Sequence, residues 1–233
     1  MIDMTKGSPA RSIIKFAIPV LIGNLFNLAY SIADIRIIGS YIGEDALSAV
    51  GSVSTLHDLL ISLIVGLSGG FAVITARYFG MKDDERVRTS SSRSLLLGVG
   101  ISLLLMLSGF IFLKPIFTIL HVPASDMAGA SSYFGIILIG LPFSALYNVP
   151  AANLRAIGDS YTPLVFLIIS AVLNIIMDII AVGSMGLGVG GAAGATVIAQ
   201  FLSAVSLIIY AYVRYKQLRP QKGDLHGLSE MYP

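Results

Sequence analysis

A chain of 233 residues that is 55% hydrophobic and only 12% charged, with a mean hydropathy of +0.85, lies far from the ~25% charged composition of soluble domains, which excludes a globule folded in water. With no cysteine it has neither a disulfide framework nor a thiolate metal site, and its three histidines, His57, His121 and His226, lack metal-ligand spacing. The net charge of +2 is small, so the placement of the basic residues carries the information.

A bilayer core of ~30 Å takes ~20 apolar residues in helix, and the chain offers a succession of such stretches. The first, Phe16 to Ile38, is too long for a signal-peptide core, contains Pro19 and Asp34 and lacks a small-residue cleavage site, so it reads as a retained helix. Gly39 stands where it should end. Asp34, five residues earlier, then lies about 8 Å below the outer end. An ionisable side chain at mid-helix costs ~2.5 to 3.5 kcal/mol on insertion scales, so it needs a partner or a function. Arg36, two residues on, is placed either to neutralise Asp34 or to snorkel outward.

The second span is expected over Leu59 to Ala76, extending back toward Leu47 and stopping at Gly80, with Gly66, Ser68, Gly69 and Gly70 permitting close packing. His57 and Asp58 are interfacial if this helix begins at Leu59 and buried if it begins at Leu47; interfacial solvation is the expectation. The third span is Leu95 to Phe112, and the fourth is Ser131 to Leu154. Within the fourth, Pro150 removes a helix hydrogen bond and should kink the span, while Asn148 and Asn153 lie toward its inner end as possible cavity-lining residues.

The fifth span, Pro163 to Val182, opens with Thr162 as N-cap and proline in the first turn. Asn174 and Asp178 are four residues apart and share a helix face, and Asp178 precedes Gly183 by the same five residues that separate Asp34 from Gly39. In the sixth span, Val189 to Val213, Thr196 enters roughly 9 Å from the outer end and Gln200 follows at i+4. Carboxylate, amide and hydroxyl oxygens thus fall at one level on three helices. Such a set suits a hard cation, and a desolvated carboxylate suits a proton equally well.

Of the 15 lysines and arginines, all but Lys114 and Arg36 fall on one side of the alternating spans, so the positive-inside rule makes both termini cytoplasmic. The basic loops read as topology signals, with no nucleic-acid partner implied. Spans of this length leave a helical bundle as the fold, since backbone in lipid tolerates only helices or closed barrels. Gly188 to Ala193 formally matches a dinucleotide fingerprint, but it follows a membrane helix instead of a strand and no acidic residue lies ~20 positions on, so it reads as a tight turn. No nucleophile–base pair marks an enzyme and no phosphate loop marks an ATP-driven pump; no cofactor is implied, and transport would draw on an ion gradient.

At the level of motifs, Phe16 to Pro19, Gly23-Asn24 and Ala33-Asp34 to Gly39 resemble helix 1 of multidrug and toxic compound extrusion (MATE) transporters. Ala76 to Asp83 resembles their helix 2–3 loop, Leu154 to Ser160 their helix 4–5 loop, Leu173 to Asp178 their helix 5, and Gly191 to Thr196 through Gln200 their helix 6. The resemblance spans about residues 5 to 216 and implies a multi-pass protein of a cell's inner (plasma) membrane. It also implies antiport of organic, typically cationic, compounds against H⁺ or Na⁺ by alternating access, with the coupling site on Asp34, Asn174, Asp178 and Thr196. A coupling Na⁺ would sit at Asp178, Asn174 and Thr196. Arg36 departs from the usually apolar position.

The family has two six-helix lobes and this chain supplies one, residues 1–216, followed by a polar tail over 217–233. Two readings follow: a truncated product, which is the expectation, or a half-size transporter that pairs with a second copy in parallel orientation. A lipid-linked precursor flippase is the alternative within transport, and its cavity should be basic; a transport-inactive membrane fragment is the alternative outside it.

Overall fold

The computed structural model describes residues 9–221, 223 and 224, with side chains from residue 13 onward. Its helices are α1 (Pro9–Tyr41), α2 (Glu44–Gly80), α3 (Asp84–Ile119), α4 (Met127–Ala156), α5 (Tyr161–Asp178) and α6 (Gly188–Arg214). A π-helical segment, Ile179–Ser184, continues α5, and a 3-10 turn, Lys216–Leu218, follows α6. All six helices, α5 together with its π-helical continuation, are long and apolar enough to cross a membrane. Lys6, Lys222 and the tail beyond residue 224 lie outside the described residues.

Each helix, α5 with its π-helical continuation, runs past its hydropathic stretch, because the hydrocarbon core limits only the apolar part whereas backbone hydrogen bonding carries a helix into the interface. α3 is the clearest case. Asp83 caps it by accepting from the Arg86 N–H at 3.0 Å, and Asp84 and Glu85 occupy the first turn, where the helix dipole favours negative charge. The polar turns that follow are sustained by Ser92 and Ser94, which donate to the carbonyls of Arg88 and Ser90 one turn back. α2 likewise starts at Glu44 and Asp45, after Gly43 turns the chain at φ 111°. The turn therefore falls at Gly43, and α1 passes through Gly39 to Tyr41. α4 is unbroken across Pro142 and Pro150.

α4 is the central helix, packed against α2, α3 and α6, while α1 leans chiefly on α5. Close approach depends on small residues. A Cβ on Gly140 of α4 would stand 2.7 Å from Val197 Cγ2 of α6, and one on Gly109 of α3 would stand 2.5 Å from Leu138 Cδ2 of α4. The glycines of α2 behave otherwise: Gly66, Gly69 and Gly70 meet nothing within 4 Å and lie on the exposed side, so they do not pack this helix into its own bundle. Exposed aliphatic side chains such as Leu104, Leu107 and Ile111 on α3 and Ile169, Val172 and Ile176 on α5 give the bundle an apolar surface suited to lipid.

At the opposite end from the α1–α2 turn the helices are tied by polar contacts. Asp159 accepts from the Thr162 N–H at 3.0 Å and from the Tyr215 hydroxyl at 2.7 Å, joining the start of α5 to the end of α6. The helix thus begins at Tyr161 with Asp159 as its capping acceptor, not Thr162. Burial alone would push the Asp159 carboxyl up, but hydrogen bonds from Thr162 and Tyr215 outweigh it and hold the group below the usual carboxylate range. The first part of the tail is docked. Leu218 is buried in a cluster with Val87, Leu154 and Leu207, and Asp224 accepts from Arg88 Nε at 3.0 Å and from the Gln221 N–H at 2.7 Å. Leu218 and Asp224 are therefore held against the bundle.

Candidate functional site

Polar residues at helical spacing converge on one cavity of about 440 Å³ between the helices. α1 contributes Asn27, Tyr30, Ser31 and Asp34, a stripe at i, i+3, i+4 and i+7. α2 contributes Ser54, His57 and Asp58; α4 contributes Ser144, Tyr147 and Asn148; α5 contributes Ser170 and Asn174; and α6 contributes Thr196 and Gln200. Apolar walls come from Ile61, Val65 and Leu167, among others. No lysine or arginine lines it, whereas two carboxylates do.

Toward the α1–α2 turn the structure brings Asp34, Asn174, Asp178 and Thr196 together. Asp178 is fully buried behind the wall, Asn174 and Thr196 are 2% and 3% exposed, and the Asp34 and Asp178 side chains face each other. Asn174 Nδ2 donates to Thr196 Oγ1 at 3.1 Å, bridging α5 and α6. What remains is unusual for a packed interior: Asp34 Oδ1, Asn174 Oδ1 and both carboxylate oxygens of Asp178 are buried without a hydrogen-bond partner among the described residues. Unpaired buried acceptors are costly and rare, so four of them at one place constitute an oxygen-lined site suited to a small cation or to protons. Among the described residues no group of three or more His, Asp or Glu converges as a metal site. The α-helix also ends at Asp178 and gives way to the π-helical turn, a distortion frequent at functional sites.

Arg36 does not neutralise Asp34. Residues two apart are ~200° apart around a helix; Arg36 is exposed and has no ion-pair partner among the described residues, while Asp34 is 7% exposed. Asn148 and Gln200 line the cavity, and Gln200 Oε1 accepts from Ser144 at 2.9 Å. Asn153 does not. It is 1% exposed, its Oδ1 accepts from Thr75 at 3.0 Å and its Nδ2 donates to Ser91 at 3.0 Å, so it cross-links α2, α3 and α4.

His57 is half-buried and Asp58 exposed. With α2 starting at Glu44 they lie about four turns into the helix and line the cavity. Tyr30, Tyr133 and Tyr147 line it as well and were not singled out in the sequence. The i+3 and i+4 spacing of Tyr30 to Asp34 and of Tyr147 to Ser144 would have found two of them.

The MatE family model matches residues 19–180. The chain is 29% identical over 228 residues to the probable multidrug resistance protein YoeA of Bacillus subtilis (strain 168), covering 95% of this chain and 49% of that protein. It is 28% identical over 229 residues to the multidrug export protein MepA of Staphylococcus aureus (strain NCTC 8325 / PS 47), covering 95% of this chain and 50% of that protein. A crystal structure of MATE in complex with MaL6 superposes with a TM-score of 0.88 at 26% identity, over 97% of this chain and 50% of that one. The chain spans about half the length of the curated relatives it matches.

Proposed function

The chain belongs to the MatE family of multidrug and toxic compound extrusion transporters, and from that premise we propose that it is one six-helix lobe of a secondary antiporter that exports organic cations in exchange for H⁺ or Na⁺. The observation that carries this reading is the group of unpartnered buried oxygens on Asp34, Asn174 and Asp178 beside the cavity. A proton on either carboxylate, or a Na⁺ among the oxygens, relieves the desolvated charge. When that ion leaves, the carboxylates regain charge and must be compensated again. An organic cation in the adjoining cavity offers that compensation, which couples the two by charge.

The lining also weighs against a lipid-linked precursor as cargo. Pyrophosphate needs cationic or N–H donors, and the cavity carries two carboxylates and no lysine or arginine. A second lobe, supplied by the rest of a longer protein or by another copy, closes the cavity and provides the other half of an alternating-access cycle.

The test is transport of ethidium in liposomes holding the reconstituted chain, under separate H⁺ and Na⁺ gradients, with Asp178→Asn alongside. Gradient-driven movement by the parent that falls at least about tenfold in the variant, as loss of a charge contact used in the cycle implies, is the expected result. Unimpaired transport by the variant would remove Asp178 from the coupling site.

A further inference from the structure

On the side of α6 turned away from the polar cavity lies a second hollow, an apolar groove of about 570 Å³ between α6 and the end of α5 with its π-helical continuation. The two hollows share no lining residue. α6 presents Thr196 and Gln200 to the cavity, while Gly191, Gly194 and Ile198, at i, i+3 and i+7, lie about half a turn around the helix and form the floor of the groove. Met177, Ile180 and Ala181 form the facing wall. A Cβ on Gly194 would meet nothing within 4 Å, so the space beside it is open.

Position and shape define what fills this groove. A Cβ on Gly183 would lie 3.0 Å from Tyr41 Cε1, so the groove starts at the end of the bundle that holds the α1–α2 turn. From Leu187 to Ile198 it runs eleven residues, about 16 Å at 1.5 Å per residue, which matches one leaflet, half of the ~30 Å hydrocarbon core. Ile180, Leu187 and Ile198 are exposed, so it opens sideways onto the outer surface of the bundle. There the exposed Ile176, Val172 and Ile169 of α5 and Leu202, Val205 and Ile209 of α6 carry the apolar face on along the span, and the groove is continuous with the lipid-facing surface. A protein helix is ~10–12 Å across, too wide for 570 Å³ drawn out over that length, whereas a single alkyl chain is not. No charged residue occurs from 179 to 213, so nothing along the groove pairs with a headgroup.

We propose that the groove is a lipid site that seats one acyl chain of a membrane phospholipid, recognised by its hydrocarbon and not by its headgroup. Hydrocarbon has no hydrophobic drive to leave hydrocarbon, so the gain is close van der Waals contact along a matching surface. Met177 and Ala181 flank Asp178 in the chain, so the seated acyl chain packs against the stretch that carries this carboxylate. The inference depends on the bundle spanning a membrane and not on the antiport reading.

The test is photolabelling of the full chain in phosphatidylcholine nanodiscs doped with a phosphatidylcholine that carries a diazirine in one acyl chain, read by peptide mass. Residues 177–198 should label about fivefold more per residue than the apolar, more exposed segment 104–111 of α3, the enrichment that ~1 kcal/mol of extra contact gives. That contrast is read in the parent and requires no variant to fold. Gly194→Leu, whose side chain enters the groove without a clash at Cβ, should bring groove labelling down to the α3 level and leave α3 unchanged. A phosphatidylglycerol probe with the same acyl chain should label as the phosphatidylcholine probe does. Equal labelling of the groove and α3 in the parent overturns the site, whether bulk lipid or a protein helix meets this face. Groove labelling undiminished in a folded Gly194→Leu chain overturns the seat beside Gly194, and labelling by only one of the two headgroups overturns the acyl chain as the recognised group.

Discussion

Asn153 shows how one residue type serves two ends in a membrane bundle. Placed by sequence near the inner end of α4, it carries the same amide as Asn148, which lines the cavity, yet its bonds to Thr75 and Ser91 use it up inside the bundle. Thr75 also meets Ser90 at 3.0 Å, so removing Asn153 strips partners from buried hydroxyls on two helices. We expect Asn153→Ala to cost about 1 to 2 kcal/mol, given the modest worth of interhelical hydrogen bonds in membranes. The measurement is the melting temperature in detergent, which should fall while the affinity for ethidium stays unchanged. A loss of affinity with unchanged melting would return Asn153 to the cavity. For Asp34, Asn174, Asp178 and Thr196 the grouping was legible from depth and i+4 spacing, because a helix converts sequence distance directly into height and angle. That Asp58 lines the cavity was not legible, because it depends on where α2 begins and hydropathy does not register a polar first turn.

Among the elements, the ends of α5 and α6 depend on one carboxylate. Tyr215→Phe removes the hydroxyl that donates to Asp159, and we expect a loss of about 1.5 to 3 kcal/mol, typical of a hydrogen bond to a charged group. The sign with pH follows from the depressed Asp159 carboxyl. Its contribution is complete above the ordinary unfolded value of about 3.9 and is lost as pH falls through the lower folded value. Melting profiles should therefore show the parent's advantage over Tyr215→Phe shrinking below about pH 4; an advantage that grows on acidification would refute the capping role. Six spans were legible because ~20 apolar residues are what a bilayer demands, whereas caps such as Asp83 and Asp159 were not assigned. Short polar stretches offer several capping candidates, and only the folded backbone selects among them.

The whole molecule is a lobe with a polar cavity and an apolar exterior, spanning about half of its curated relatives. If alternating access needs a second lobe, transport requires either another copy or the rest of a longer chain. In vesicles prepared with fewer than one chain each on average, we expect the rate per chain to fall toward zero; a constant rate per chain would mean that one lobe transports alone. The sequence by itself determined the class, the number of spans and the level at which four oxygen-bearing side chains stand, since hydrocarbon thickness and helical rise are fixed by physics outside the protein. Only the tertiary structure decided which carboxylates face each other, that Arg36 turns away, that Asn153 is spent on packing and that His57 and Asp58 reach the cavity. Those outcomes depend on where each helix starts and how it is rotated against its neighbours, and both follow from packing between residues far apart in the chain.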